Sequence, residues 1–170
     1  MKKPLISLLL IHISLIPLTS KAETNITLDF SGNIKAASCN ITGGNNINID
    51  LERIPVDLFN TPQSGSEWHD FNINLTNCSS SINQVKLTFS GAADTGDLDS
   101  LYKNQGTATN IAVQLQNGDG SIPLGNQKIL TASVTNQEAT IPLRTRAFSV
   151  SGNAIPGSIS ANITATITYL

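Results

Sequence analysis

The last stretch of the chain alternates without a fault. Ile159, Ala161, Ile163, Ala165, Ile167 and Tyr169 take one side of the pattern, and Ser158, Ser160, Asn162, Thr164, Thr166 and Thr168 take the other. Side chains change face at every residue of a β-strand, so this two-residue period specifies a strand with one apolar and one polar face. A helix would scatter the same residues around its axis. The run reaches Leu170 with no polar tail. A terminal strand frays unless something holds it, and an alternating apolar strand is a template for pairing with another chain.

The same period recurs upstream. Ile47, Ile49 and Leu51 alternate, as do Phe71, Ile73 and Leu75, then Val85, Leu87 and Phe89, then Ile111, Val113 and Leu115. Ile141 and Leu143 open a further run through Thr145 and Ala147. Clusters of Gly, Asn, Asp and Ser at 42–46, 117–121 and 151–158 separate these runs and read as turns. The longer stretch 91–108 is expected to hold a short helical turn around Leu98 to Tyr102. Many short strands with regular turns argue for an all-β, antiparallel sandwich of immunoglobulin type. Neither a repeat nor a linker marks a second domain.

The amino end reads as an export signal. Lys2 and Lys3 precede an apolar stretch from Leu5 to Leu18, and Ser20-Lys21-Ala22 supplies a small-x-small cleavage site. Pro4, Ser7, His12, Ser14 and Pro17 interrupt the stretch too often for a stable membrane span. The exported chain is expected to start at Glu23. Of 10 Lys and Arg and 12 Asp and Glu, removing Lys2, Lys3 and Lys21 leaves 7 bases and 12 acids, a formal charge of −5. No basic patch suits nucleic acid or anionic lipid, and no later hydrophobic span follows. About 150 residues suffice for one core.

Two cysteines, Cys39 and Cys78, are expected to pair in an exported chain, closing a loop that stabilises the fold by about 4 kcal/mol. A metal site is not expected: His69 is the one histidine after the signal, and no Cys-x-x-Cys or histidine cluster accompanies it. Catalytic groupings are equally absent. In a strand His69 and Asp70 point to opposite faces, which rules them out as a dyad by position, and no G-x-S-x-G, H-E-x-x-H or phosphate loop occurs. Neither a catalytic residue nor a cofactor is expected. Trp68 and Tyr102 are more readily packing residues than a sugar site. Five Asn-x-Ser/Thr triplets, at Asn25, Asn40, Asn74, Asn77 and Asn162, would be glycosylation sites only in a eukaryotic setting.

A second alternating segment lies near the start of the exported chain: Ile26, Leu28, Phe30, Gly32 and Ile34 share one face. Glycine on an apolar face weakens a strand and marks a place where another backbone comes close. The period alone leaves open whether this segment is the domain's own first strand or packs elsewhere.

The chain resembles the chaperone–usher pilins of Gram-negative fimbriae. "FSGNIKAASC" resembles the family's opening before its first cysteine, and "INLTNC" its approach to the second. Gly157, fourteenth from the end, with the penultimate Tyr169 matches its carboxyl-terminal motif. The blocks "WHDFNINLTNC", "FSGAAD" and "YKNQGTATNIAVQLQNGDGS" are most similar to minor tip subunits of type 1 fimbriae that adjoin the adhesin.

The resemblance implies an immunoglobulin-like sandwich lacking one strand, with residues 1–22 as signal, 23–36 as a donor-strand extension and 37–170 as the pilin domain. Ile26, Leu28, Phe30 and Ile34 would then fill a neighbour's groove, with Gly32 where the groove is shallow. Gly157, Ile159, Ala161, Ile163, Ala165, Ile167, Tyr169 and Leu170 would border this chain's own groove. The implied partners are a periplasmic chaperone, an outer-membrane usher and neighbouring subunits including the adhesin. The implied place is the fimbrium at the cell surface, reached through the periplasm. The implied function is a non-enzymatic tip adaptor, the alternatives being a major rod pilin or a glycan-binding adhesin.

Overall fold

A computed structural model of the chain describes Ser31 and residues 36–170. The expected signal, most of the expected extension, and Ile26, Leu28, Phe30, Gly32 and Ile34 lie outside the described residues. Residues 36–170 form one compact unit. No described helix is long and apolar enough to cross a membrane.

The described strands are β1 (Asn40–Ile41), β2 (Ser64–Gly65), β3 (His69–Thr76), β4 (Gln84–Gly91), β5 (Leu101–Lys103), β6 (Ala112–Asn117), β7 (Ile129–Ser133), β8 (Ala139–Ser149) and β9 (Ile163–Tyr169), with a 3-10 turn at Val56–Phe59. The larger sheet runs β1-β3-β8-β6-β5, with β2 also paired to β8; the smaller runs β7-β4-β9. Every strand pairing is antiparallel.

Alternation explains how the two sheets meet. Ile73 and Leu75 of β3, Val113 and Leu115 of β6, and Ile141 and Leu143 of β8 turn inward from the larger sheet. Val85, Leu87 and Phe89 of β4 turn inward from the smaller one and complete the core. Cys39 and Cys78 are disulfide-bonded and sit in the same cluster. Tyr102, 1% exposed, points into the core and donates its Oη proton to the Leu124 carbonyl at 2.9 Å. Burial pushes its pKa above the ordinary tyrosine value, because the phenolate would lose both water and this hydrogen bond.

Two expectations are corrected. Ile47, Ile49 and Leu51 do not form a strand. Glu52 donates its backbone N–H to the Asp50 carboxylate at 2.8 Å and adopts a φ of 61°, and Pro55 follows. This Asx-type turn bends the chain away from any ladder. The helical turn expected around Leu98 to Tyr102 does form, closed by Leu101 N–H donating to Asp97 O at 3.0 Å, but it is cut short at Ser100, since Leu101 and Tyr102 belong to β5.

Candidate functional site

The smaller sheet ends at β9, whose outer edge carries no described strand. On its inner side β9 pairs with β4 over its whole length: Val85 faces Tyr169, Leu87 faces Ile167, Phe89 faces Ala165 and Gly91 faces Ile163. In an edge strand, alternate N–H and C=O groups point away from the sheet with no partner. Natural edges are usually blunted by charge, proline or a bulge. Here no charged side chain follows Arg146, and β9 itself consists of Ile, Thr, Ala and Tyr.

The inward residues of β9 are only partly buried. Ile163, Ala165, Ile167 and Tyr169 pack on the core, as do Ile159 and Ala161 before them, yet none is fully covered. Val85, Leu87 and Phe89, opposite Tyr169, Ile167 and Ala165, are 0–2% exposed. The facing wall comes from the amino-terminal part of the domain. Ile41 and Leu51 are partly buried against the same core. Tyr169 Oη donates to the Cys39 carbonyl at 3.5 Å, bringing the carboxyl-terminal end of β9 to the disulfide. At the other end Leu51 and Ile159 also pack on a second cluster formed by Phe59, Ile111 and Ala147. The result is a row of half-covered apolar side chains along β9, beside an outer edge that pairs with no described strand.

The alternation at 159–169 therefore divides in two. β9 begins at Ile163, and residues 155–160 pair instead with the loop 104–109. Gln105 N–H donates to Ser160 O at 2.8 Å, Ala108 N–H to Ser158 O at 3.0 Å, and Thr109 and Ile155 exchange two bonds. Asn104 braces both strands of this pairing, its amide donating to Ala108 O at 2.8 Å and its carbonyl accepting from Ser160 N at 2.9 Å. Gly157 lies where the backbones touch: a Cβ there would come 2.3 Å from Ala108 N and 2.5 Å from the Thr107 carbonyl carbon. Only glycine fits so close an approach. This contact sets the course of the chain as it enters β9.

Leu170 is 55% exposed, but its main chain is held, N–H to Gln84 O at 2.9 Å and carbonyl to Asn83 N at 3.2 Å. Of the residues expected to border a groove, Gly157 and Ile159 lie in the segment paired with 104–109, Ile163, Ala165, Ile167 and Tyr169 lie on β9, Ala161 lies between the two, and Leu170 follows β9. His69 and Asp70, successive in β3, point to opposite faces. Among the described residues no cluster of His, Cys, Asp and Glu could hold a metal.

Residues 28–170 match the family described as fimbrial protein. The chain is 37% identical over 151 residues to the S-fimbrial adhesin protein SfaS of Escherichia coli, covering 88% of each. It is 36% identical over 146 residues to protein FimG of Escherichia coli, covering 85% of each. Its fold matches the P pilus rod subunit PapA with a TM-score of 0.64 at 22% identity, over 78% of this chain and 99% of that one. It matches the P pilus adaptor subunit PapF with a TM-score of 0.51 at 18% identity, over 78% and 95%. The all-β sandwich is accordingly the incomplete immunoglobulin-like fold of pilus subunits, which are non-enzymatic components of surface fimbriae that contact one another. The chain belongs to the fimbrial protein family, as a pilin of the chaperone–usher type.

Proposed function

We propose that this pilin is a minor tip adaptor, joining the adhesin to the rest of a type 1-like fimbria by donor-strand complementation. The observation that carries the reading is the open apolar edge of β9, in register with the buried Val85, Leu87 and Phe89 of β4. A strand laid along that edge would satisfy its outward N–H and C=O groups and cover Ile163, Ala165, Ile167 and Tyr169. Each apolar side chain it inserted would contribute about 1.5–3 kcal/mol gross.

Residues 23–36 have the matching pattern. Ile26, Leu28, Phe30 and Ile34 are the inserting side chains, and Gly32 allows close backbone contact. The first 22 residues direct export into the periplasm. A chaperone covers the β9 groove there, and an outer-membrane usher exchanges it for the extension of the next subunit. The adaptor position rests on the similarity of the 68–78, 89–94 and 102–121 blocks to minor tip subunits. No catalytic step is assigned to the chain.

Deleting 23–35 tests the donor role. Chaperone binding should persist while joining to the preceding subunit is lost; continued joining would contradict the assignment. Gly32→Lys should slow donation, and unchanged exchange kinetics would remove the role given to glycine.

An adhesin reading is favoured by one observation, the 37% identity to a protein named as an adhesin. Binding of the strand-complemented subunit to a glycan array would support it.

A further inference from the structure

The opposite face of the larger sheet carries a second built surface, unrelated to the β9 edge. Along β8 the inward positions are Ile141, Leu143, Thr145 and Ala147, so Arg144, Arg146 and Phe148 project from the outer face. The Arg144 guanidinium lies 4.3 Å from the centre of the Trp68 ring, and that of Arg146 lies 4.2 Å from it. Arg146 also stacks on Phe148 at 5.0 Å.

The backbone is shaped for this column. Gly65 pairs with Phe148 and His69 with Thr145, so β2 and β3 spend three intervening residues against two of β8. The extra residue is a bulge, a device that re-aims a side chain, and it falls beside Trp68. A Cβ on Gly65 would come 2.8 Å from the Arg146 guanidinium, so the glycine leaves the space that the arginine fills.

Each arginine is steered by a neutral amide rather than a carboxylate. Arg144 donates to Gln116 Oε1 from Nη2 at 2.9 Å and from Nε at 3.3 Å. Arg146 Nε donates to Gln114 Oε1 at 2.8 Å, and Gln114 is itself held by Ser100 at 3.1 Å. Ser100 donates in turn to Asp97 at 2.6 Å. The one salt bridge among the described residues, Lys128 to Asp99, lies elsewhere. Burial and the repulsion of Arg144 lower the pKa of Arg146. Two cations are thus fixed close together without a described ion pair, Asp119 being the carboxylate that feels the charge of Arg144, and the Arg146 terminal nitrogens make no described hydrogen bond.

We propose that this face docks a protein partner presenting side-chain carboxylates, to which the free terminal nitrogens of Arg146 donate in forked geometry while Arg144 adds its charge alongside. Three features select that occupant. Fixed, stacked guanidiniums match carboxylates bidentately. Tryptophan and arginine on a flat sheet are the residue types that dominate protein interfaces. An extended polyanion would meet the −5 charge of the exported chain, whereas a local carboxylate pair meets the two arginines at short range.

Trp68 is the only tryptophan in the chain, so its fluorescence reports on the site directly. The purified exported chain is titrated with a peptide of alternating Glu and Gly, with its Gln counterpart, and with a uronic-acid oligosaccharide. The glutamate peptide should change Trp68 emission saturably and bind at least ten-fold tighter than the other two. Arg146→Gln should lose at least ten-fold in affinity, and Arg146→Lys, which keeps charge but not the fork, several-fold. Lys86→Gln, in the other sheet, should bind as the parent does. Should Arg146→Gln fail to fold by circular dichroism, the lysine variant decides. Equal binding of the two peptides, unchanged affinity in the folded arginine variants, or saturable binding of the oligosaccharide alone would overturn the proposal.

Discussion

β4 and β9 lie side by side, pair residue for residue, and read alike in the sequence, yet they occupy different physical states. Val85, Leu87 and Phe89 are 0%, 0% and 2% exposed. Tyr169, Ile167 and Ala165, their register partners, remain partly open. β4 has a strand on each side, and among the described residues β9 has one on one side only. The contrast separates what alternation encodes from what it does not. A two-residue period states which face of a strand is apolar; how deeply that face is buried depends on how many neighbours the strand has.

The comparison can be broken in several ways, the largest effect being expected at the disulfide. Replacing Cys39 and Cys78 by serine should lower unfolding free energy by about 4 kcal/mol in denaturant titration, since the bond closes a long loop beside the carboxyl-terminal end of β9. Leu87→Ala should cost about 2–5 kcal/mol, as for other fully buried leucines. Ile167→Ala, one strand over, should cost clearly less in the uncomplemented subunit and approach the Leu87 value once a strand covers β9. Equal costs in the uncomplemented subunit would mean that β9 is as enclosed as β4.

Gly157→Ala should cost about 1–3 kcal/mol, because the new Cβ meets main chain rather than a flexible side chain. The amides of Gln105 and Ala108 should lose protection in hydrogen exchange. The core side of the comparison also has a pH signature. The Tyr102 pKa is raised in the fold, so above the ordinary value of 10.0 the unfolded chain releases a proton that the folded chain keeps. Rising pH therefore favours unfolding, and Tyr102 should remove about 1.4 kcal/mol per pH unit above that point. Tyr102→Phe should flatten this part of the profile.

Much of the sandwich was legible from period and turn chemistry. The runs at 71–75, 85–89, 111–115 and 141–147 correspond to β3, β4, β6 and β8. β7 escaped because Ile129, exposed, adjoins Leu130, partly buried, which blurs the alternation. β5 escaped because Leu101 and Tyr102 are both buried, on opposite faces of a three-residue strand. Ile47, Ile49 and Leu51 misled because the pattern falls in an irregular segment of which only Leu51 packs on the core, Ile47 being 43% exposed. The edge strand β9 was legible in its alternation, and Gly157 was singled out by resemblance. Its reason, contact with the 107–108 backbone, is long-range and has no local signature. The Arg144–Trp68–Arg146 column was invisible for the same cause: its members are some 80 residues apart and meet only through a bulge.

The most direct test of the account is residue-resolved hydrogen exchange on the purified exported chain, with and without an added peptide of residues 23–36. The amides of β4 should be protected throughout. Alternate amides of Ile163–Tyr169 should exchange rapidly in the chain alone and become protected when the peptide binds. Protection across the whole of β9 to the level of β4, with no partner present, would contradict the claim that this sheet is left one strand short.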